Sequence, residues 1–340
     1  MNTNSSLSPR STVMTDVHFK ELESRGFVVI PRFLSSDDVR LFRDDFESQV
    51  AVKVGTYRHS AASAHANAVI AQRVEPVLRE VARSTDVRAD YPWGAIYFAT
   101  GRGVSFPWHQ DHEAYFSFNN RYHYLNFYVP IAKPVREKSN LCLVPFDVLQ
   151  RECPASYRRM VCNGASRFYR LGRKYLVIQD DAGAVHLIHR NLDDLAVTPF
   201  LDAGDLLLLR GDVIHRTQDT DTERTSLSFR VSDSASPVTR CHLADGSMYK
   251  ARMMAKNAAT SQALFSAFDL ARKDEIVTRE LHALMRRVPA EPPRSKREFY
   301  LYLLRQKRRS GVLGRFVTQA LLDSVVTRMG SLYTRYARTA

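Results

Sequence analysis

The stretch "AGDLLLLRGDVIHRT", residues 203–217, decides how the rest of the chain reads. Its run Leu206 to Leu209 is apolar on both sides, as in a strand covered on two faces; a half-exposed strand would alternate. Gly211-Asp212 is a tight-turn pair, and His215 follows on the returning strand. A buried strand pair that ends on a histidine puts an imidazole inside a β-structure, where a metal ion is a natural partner.

Further ligands come from "FPWHQDHEAYF", residues 106–116. Side chains at i and i+2 of an extended segment share a face, so His109 and Asp111 project together while Gln110 and His112 turn aside. Together with His215 they offer two imidazoles and one carboxylate. That set leaves one side of a metal open, as in the facial triad of non-haem Fe(II) oxygenases. A hydrolytic zinc site with the same three ligands stays open at this point. His186 and His189 are rivals, but their spacing puts them on opposite faces of a strand, so at most one could serve.

"RTSLSFR" narrows the choice. Arg224 and Arg230 lie six residues apart on one strand and face the same side. Guanidinium groups pointing into a barrel are costly without an anion. A dicarboxylate cosubstrate would satisfy them through bidentate contacts, whereas a hydrolytic zinc enzyme has no corresponding need.

Between about residue 90 and 235, short β-type runs alternate with Gly, Pro, Asn and Asp, the pattern of an all-β sandwich, barrel or jelly roll. Before it, residues 16–50 read as helix, strand, helix. Gly26 stops the first helix, Ser35 or Ser36 caps the second, and Val39, Phe42, Phe46 and Val50 recur at helical spacing. Loops at 50–75 and 150–175 are expected to shape a pocket; the Arg and Lys residues of the second favour an anionic substrate. From Met248 onward the chain reads as helical, with an apolar stripe from Phe316 to Tyr336.

Bulk properties bound the function. No apolar run is long enough to span a bilayer. The polar N-terminus lacks a signal-peptide core and reads as a disordered leader. Four cysteines without Cys-x-x-Cys spacing argue against a zinc knuckle or disulfide framework and suit a reducing, cytoplasmic setting. The net charge of +13 is concentrated: residues 250–340 hold 19 Lys+Arg against 7 Asp+Glu, leaving 30 against 29 elsewhere. The expected division is a leader (1–15), a β-rich body (16–247) and a basic helical extension (248–340). The basic run "RQKRRSGVLGR" reads as the solvated face of that extension.

Over roughly residues 19–235 the chain resembles the phytanoyl-CoA dioxygenase family of Fe(II)/2-oxoglutarate-dependent oxygenases. "GFVVIPRFLSSDDV" is similar to the family's N-terminal strand–turn–helix, and "WHQD" to its His-x-Asp signature. "NLCLVPFDVL" is similar to the strand before its "PGSH" turn, here degraded to "PFDV". "AGDLLLLRGDVIHRT…ERTSLSFR" is similar to its distal His and cosubstrate Arg. The resemblance implies a double-stranded β-helix (jelly-roll, cupin-like) core with N-terminal helices, to which the helical reading of 248–340 adds a C-terminal extension.

It further implies Fe(II) held by His109, Asp111 and His215. Arg224 would meet the distal carboxylate of 2-oxoglutarate, with Arg230 the alternate because His215 to Arg224 is slightly short for the family. Asn126 and Tyr97 are further cosubstrate-contact candidates. With O2 as the other cosubstrate, the implied reaction is oxidation of a C–H bond in a small-molecule substrate. Related halogenases replace the ligand carboxylate by a small residue; Asp111 is retained, which implies hydroxylation, desaturation or demethylation. Two other readings compete: an AlkB-like demethylase of nucleic acid or protein, whose paired-Arg strand "RTSLSFR" resembles and whose phosphate contacts the basic tail would supply, and a non-catalytic jelly-roll binding protein.

Overall fold

The computed structural model describes residues 14–309, apart from 55–56, 102–105, 112–121, 163–164, 172–174, 181–184, 219–221, 246–247, 290–291 and 293. The N-terminal part runs α1 (Asp16–Arg25), β1 (Phe27–Ile30), α2 (Ser36–Ser48), β2 (Val52–Val54), β3 (Tyr57–Ala61), α3 (Ala64–Ser84). The β-rich part follows as β4 (Tyr91–Thr100), β5 (Tyr124–Ala132), β6 (Leu141–Leu143), α4 (Phe146–Glu152), α5 (Pro154–Met160), β7 (Ala165–Leu171), β8 (Tyr175–Asp180), β9 (Val185–Ile188). It continues through α6 (Leu192–Leu195), β10 (Leu206–Arg210), β11 (His215–Thr217) and β12 (Arg224–Ser232). The C-terminal part is β13 (Pro237–Thr239), α7 (Arg240–Ala244), α8 (Met248–Lys256), α9 (Ala258–Ala271), β14 (Glu275–Val277), α10 (Thr278–Met285) and α11 (Lys296–Arg309).

The leucine run is β10, next to one edge of a seven-stranded antiparallel sheet ordered β1-β10-β5-β12-β4-β3-β2. Its leucines are fully buried because both faces of the sheet are covered. Leu206 and Leu208 share a core with Phe42 and Phe46 of α2 and with Ile70, Val74 and Val77 of α3. Leu207 and Leu209 pack on the other face with Tyr128 of β5 and with Leu141 and Leu143 of β6. Period-two alternation thus divides the sheet into a helix-covered side and an inner side that faces the β6–β11 pair. The site is built on the inner side.

The helix, strand and helix expected over residues 16–50 are present as α1, β1 and α2. Ser35 caps α2, accepting from the Asp38 amide, and Gly26 ends α1 at φ 82°. A Cβ at Gly26 would meet Phe146 at 2.4 Å, so that close approach also requires glycine. Val50, however, lies beyond the end of α2 and is 92 % exposed. The 50–75 stretch is not a pocket loop. It forms β2, β3 and the start of α3, a 21-residue helix that packs on the helix-covered side. Likewise 150–175 contains the end of α4, then α5 and β7.

The C-terminal part is not wholly helical, since β14 pairs with β13. Phe265, Phe268, Phe299 and Leu303 form a separate core with Val238 and Leu243, which docks on Tyr124 and Trp93 of the large sheet. The amphipathic segment expected at 316–336 lies outside the described residues.

Candidate metal centre

β11 begins at His215, and His109 meets it through a two-way backbone bridge, each amide donating to the other's carbonyl at 2.9 Å. The imidazoles stand with centroids 4.3 Å apart. Ligand atoms of His109, Asp111 and His215 all lie within 4.8 Å of one another, the single such set of three or more potential ligands among the described residues. Both histidines are oriented identically. Nδ1 of His109 is 2.7 Å from the Pro107 carbonyl, and Nδ1 of His215 is 2.9 Å from the Val213 carbonyl. A carbonyl only accepts, so each Nδ1 carries the proton and each Nε2 offers its lone pair to the shared space. Burial, and after it the His215 ring, pushes the His109 pKa down to about 3, so this ring stays neutral, as a metal ligand must be.

Asp111 is buried and held by a relay. Its Oδ2 accepts from Asn126 Nδ2 at 3.0 Å, while Asn126 Oδ1 accepts from Ser228 Oγ at 2.7 Å. Oδ1 faces the histidines, 3.9 Å from His215 Nε2, and also lies 3.9 Å from Arg230 Nη2. Gln110 points away, as alternation requires, and donates to the carbonyls of Met160 and Asp212. The turn that aims His215 is pinned by Asp212, which accepts a fork from Arg210, itself stacked against Tyr122 and Phe146. His112, Glu113, Tyr115 and Phe116 lie outside the described residues, as does the side chain of His186; His189 is exposed.

Arg224, Ser226, Ser228 and Arg230 do share the inner face of β12. In register with them stand Tyr128 and Asn126 of β5 and Phe98 of β4. Arg230 is level with Asn126, beside Asp111, and its guanidinium lies 5.6 Å from the Phe98 ring. Arg224 sits farther along, where Nη1 donates to the carbonyls of Ser139 at 2.6 Å and Asn140 at 2.9 Å. Among the described residues its Nε has no acceptor, and the Tyr128 hydroxyl, whose ring centre is 5.8 Å from the same guanidinium, also lacks a partner. Both side chains are over nine-tenths buried. An orphaned buried polar group costs about 1–3 kcal/mol, so a cationic edge and a phenol waiting side by side fit the carboxylate end of a dicarboxylic acid.

Tyr97 does not belong to this chamber. It pairs with Leu227, not with a serine or arginine of β12, and therefore faces the helices. There it donates to Asp45 Oδ2 at 2.7 Å and packs edge-on against Phe46. Asn126 is present, but its contacts run to Asp111 and Ser228. Tyr128 escaped the sequence reading; the available signal was its i+2 spacing from Asn126 on an inward-facing strand.

The model of the family described as phytanoyl-CoA dioxygenase (PhyH) matches residues 22–226. No curated protein sequence matches. Among solved structures, HygX from Streptomyces hygroscopicus with nickel and 2-oxoglutarate bound is 16 % identical, covering 65 % of this chain and 88 % of its own at a TM-score of 0.43. The α-ketoglutarate-dependent carbocyclase SnoK of nogalamycin biosynthesis is 14 % identical, with 66 % and 86 % covered and a TM-score of 0.44. EvdO2 from Micromonospora carbonacea var. aurantiaca, complexed with 2-oxoglutarate, is 13 % identical, with 65 % and 91 % covered and a TM-score of 0.42. The family match spans more than half of the chain and runs from α1 into β12 through His109, Asp111 and His215; the protein belongs to the phytanoyl-CoA dioxygenase family of Fe(II)- and 2-oxoglutarate-dependent oxygenases.

Proposed function

We propose that this protein oxidises a C–H bond of a small-molecule substrate, by hydroxylation, desaturation or demethylation, at Fe(II) held by His109, Asp111 and His215. The observation that carries this reading is the pair of orphaned buried donors, Arg224 Nε and Tyr128 OH, in the same inward-facing array as the ligand set. In this reading they take the distal carboxylate of 2-oxoglutarate. When bound, iron with 2-oxoglutarate and O2 supplies the oxidising power, and succinate and CO2 are released.

The chain's own residues do the rest. The Pro107 and Val213 carbonyls fix both imidazole tautomers, and the Ser228–Asn126 relay leaves Asp111 Oδ1 turned toward the histidines. The leucines of β10 and the β6 side chains keep the inner wall dry.

The inner face of the large sheet and the β6–β11 pair correspond to the two walls of a double-stranded β-helix. In this reading the catalytic unit runs from α1 to β12, and β13, which pairs with β14, is grouped with the C-terminal helices. All four cysteines are free, in keeping with a reducing, cytoplasmic setting. Among the described residues no helix is long and apolar enough to cross a membrane.

The test is a metabolite-pool incubation with iron, 2-oxoglutarate and air, read by mass spectrometry. A species that gains one oxygen or loses two hydrogens with the native protein, but not with Asp111→Ala, supports the reading. Conversion that survives Asp111→Ala would refute it.

A further inference from the structure

The connection between β5 and β6 is tied more heavily than a surface turn requires. Lys133, directly after β5, spends its three ammonium protons on the Arg136 carbonyl at 2.5 Å, Asn140 Oδ1 at 2.6 Å and the Leu201 carbonyl at 2.6 Å. Asn140 is buried and uses every polar group it has. Its Nδ2 donates to the Arg136 carbonyl, its amide donates to Gln218 Oε1, and its Oδ1 also accepts from the Leu201 amide. Its carbonyl takes the Gln218 amide as well as Arg224. Ser139 sits at φ 54°, a left-handed conformation unusual for a residue with a side chain, and its Oγ is fastened to Thr222.

The result of this knot is one geometric fact: the Ser139 and Asn140 carbonyls converge on a single nitrogen of Arg224. With Nη1 consumed there, the guanidinium plane is fixed, and its buried Nε has no partner among the described residues. A second feature argues against a merely structural tie. Lys133 is a cation placed close enough to Arg224 for the two to repel, and it is partly buried, which pushes its pKa down to about 8. Asp202, Glu137 and Asp205 offset this only in part. Holding two like charges within range of each other is costly for folding alone and favourable where an anion is to be received beside one of them.

We propose that Lys133 and Asn140 are positioning residues for 2-oxoglutarate: they hold the Ser139–Asn140 carbonyls that aim Arg224 at its distal carboxylate. The proposal rests on the assignment of Arg224 as that anchor. Lys133 acts through Asn140 and Arg224 and touches neither substrate nor metal.

The test is calorimetric titration of 2-oxoglutarate, and separately of N-oxalylglycine, into the full chain loaded with Ni(II). Lys133→Met should weaken both ligands about tenfold, with Ni(II) affinity within about twofold of native. Lys133→Arg, which keeps the charge and donors, should restore most of the loss. If Lys133→Met does not fold, Lys133→Gln is judged by the same criteria. Arg224→Gln separates the two levels of the argument. If Arg224→Gln weakens 2-oxoglutarate while the Lys133 variants bind it normally, the positioning role is wrong and the anchor stands. If Arg224→Gln binds it normally, the anchor assignment falls and takes this inference with it. Equal loss of nickel and 2-oxoglutarate affinity in Lys133→Met would mean general loosening and would also overturn the proposal.

Discussion

Replacing Asn126 by alanine separates two roles that this residue could play. The family resemblance makes it a candidate cosubstrate contact; the structure makes it the orienter of Asp111 through the 3.0 Å bond to Oδ2. That bond is buried and charge-assisted, a class worth about 1.5–3 kcal/mol, and its loss also strands the Ser228 hydroxyl. At about 1.4 kcal/mol per decade, Asn126→Ala should weaken metal binding by about 10- to 100-fold, in line with losses usual for residues that orient metal ligands. The assay is competition of the apo-protein against a chelator of known affinity for Ni(II) or Fe(II). 2-Oxoglutarate is then titrated at saturating metal, where its affinity should stay within about threefold of native. Unchanged metal affinity with a large loss of 2-oxoglutarate affinity would refute the relay and restore Asn126 as a direct contact.

Tyr128→Phe should raise the KM for 2-oxoglutarate by about 10- to 100-fold, the worth of one hydrogen bond to a carboxylate, whereas Tyr97→Phe should leave it unchanged and cost about 1.5–3 kcal/mol in stability by removing the bond to Asp45; reversed outcomes would mean that the faces of β4 and β5 are misassigned. Gly26→Ala should destabilise by about 1–3 kcal/mol in urea unfolding, since it combines a positive φ with a 2.4 Å approach to Phe146; a neutral result would contradict the packing of α1 on α4. His282, wedged against Trp93 and Tyr91, has its pKa lowered by burial, and secondarily by Arg286, from 6.5 to about 4. A depressed histidine pKa means that the unfolded chain binds the proton more readily, so its contribution is intact above pH 6.5 and is lost progressively as pH falls toward 4. The melting temperature of the native protein should therefore drop more steeply over that window than that of His282→Gln, and parallel curves would count against it.

Much of this architecture was legible because burial leaves a mark on composition. Four leucines in succession are affordable only between two covered faces, and β10 has them. Strand alternation puts His109 and Asp111 on one face, with His215 downstream completing the set, and the opposite orientation of Gln110 is visible in its bonds to Met160 and Asp212. What stayed hidden depends on register. Tyr97 and Phe98 are adjacent, and nothing local says which faces the chamber; the pairing of Ser226 with Phe98 decides it. Tyr128 shares a face with Asn126 two residues before it, and its pairing with Ser228 shows that this face is the inner one.

Helix α3 was obscured by Pro76 in its interior and by the short strands before it. The knot behind Arg224 joins residues from 133 to 224, a long-range arrangement that no spacing rule encodes. Likewise β13–β14 pairs residues about forty apart across three helices of the C-terminal unit, so a run of helical periodicity could not reveal it.

The central claim is that His109, Asp111 and His215 form one iron site that consumes 2-oxoglutarate. It is tested most directly by succinate release from the Fe(II)-loaded protein in air, measured together with iron stoichiometry. The account predicts one iron per chain and succinate formation that needs both iron and 2-oxoglutarate, with both lost in His215→Ala. Full iron loading and undiminished succinate formation in His215→Ala would contradict it.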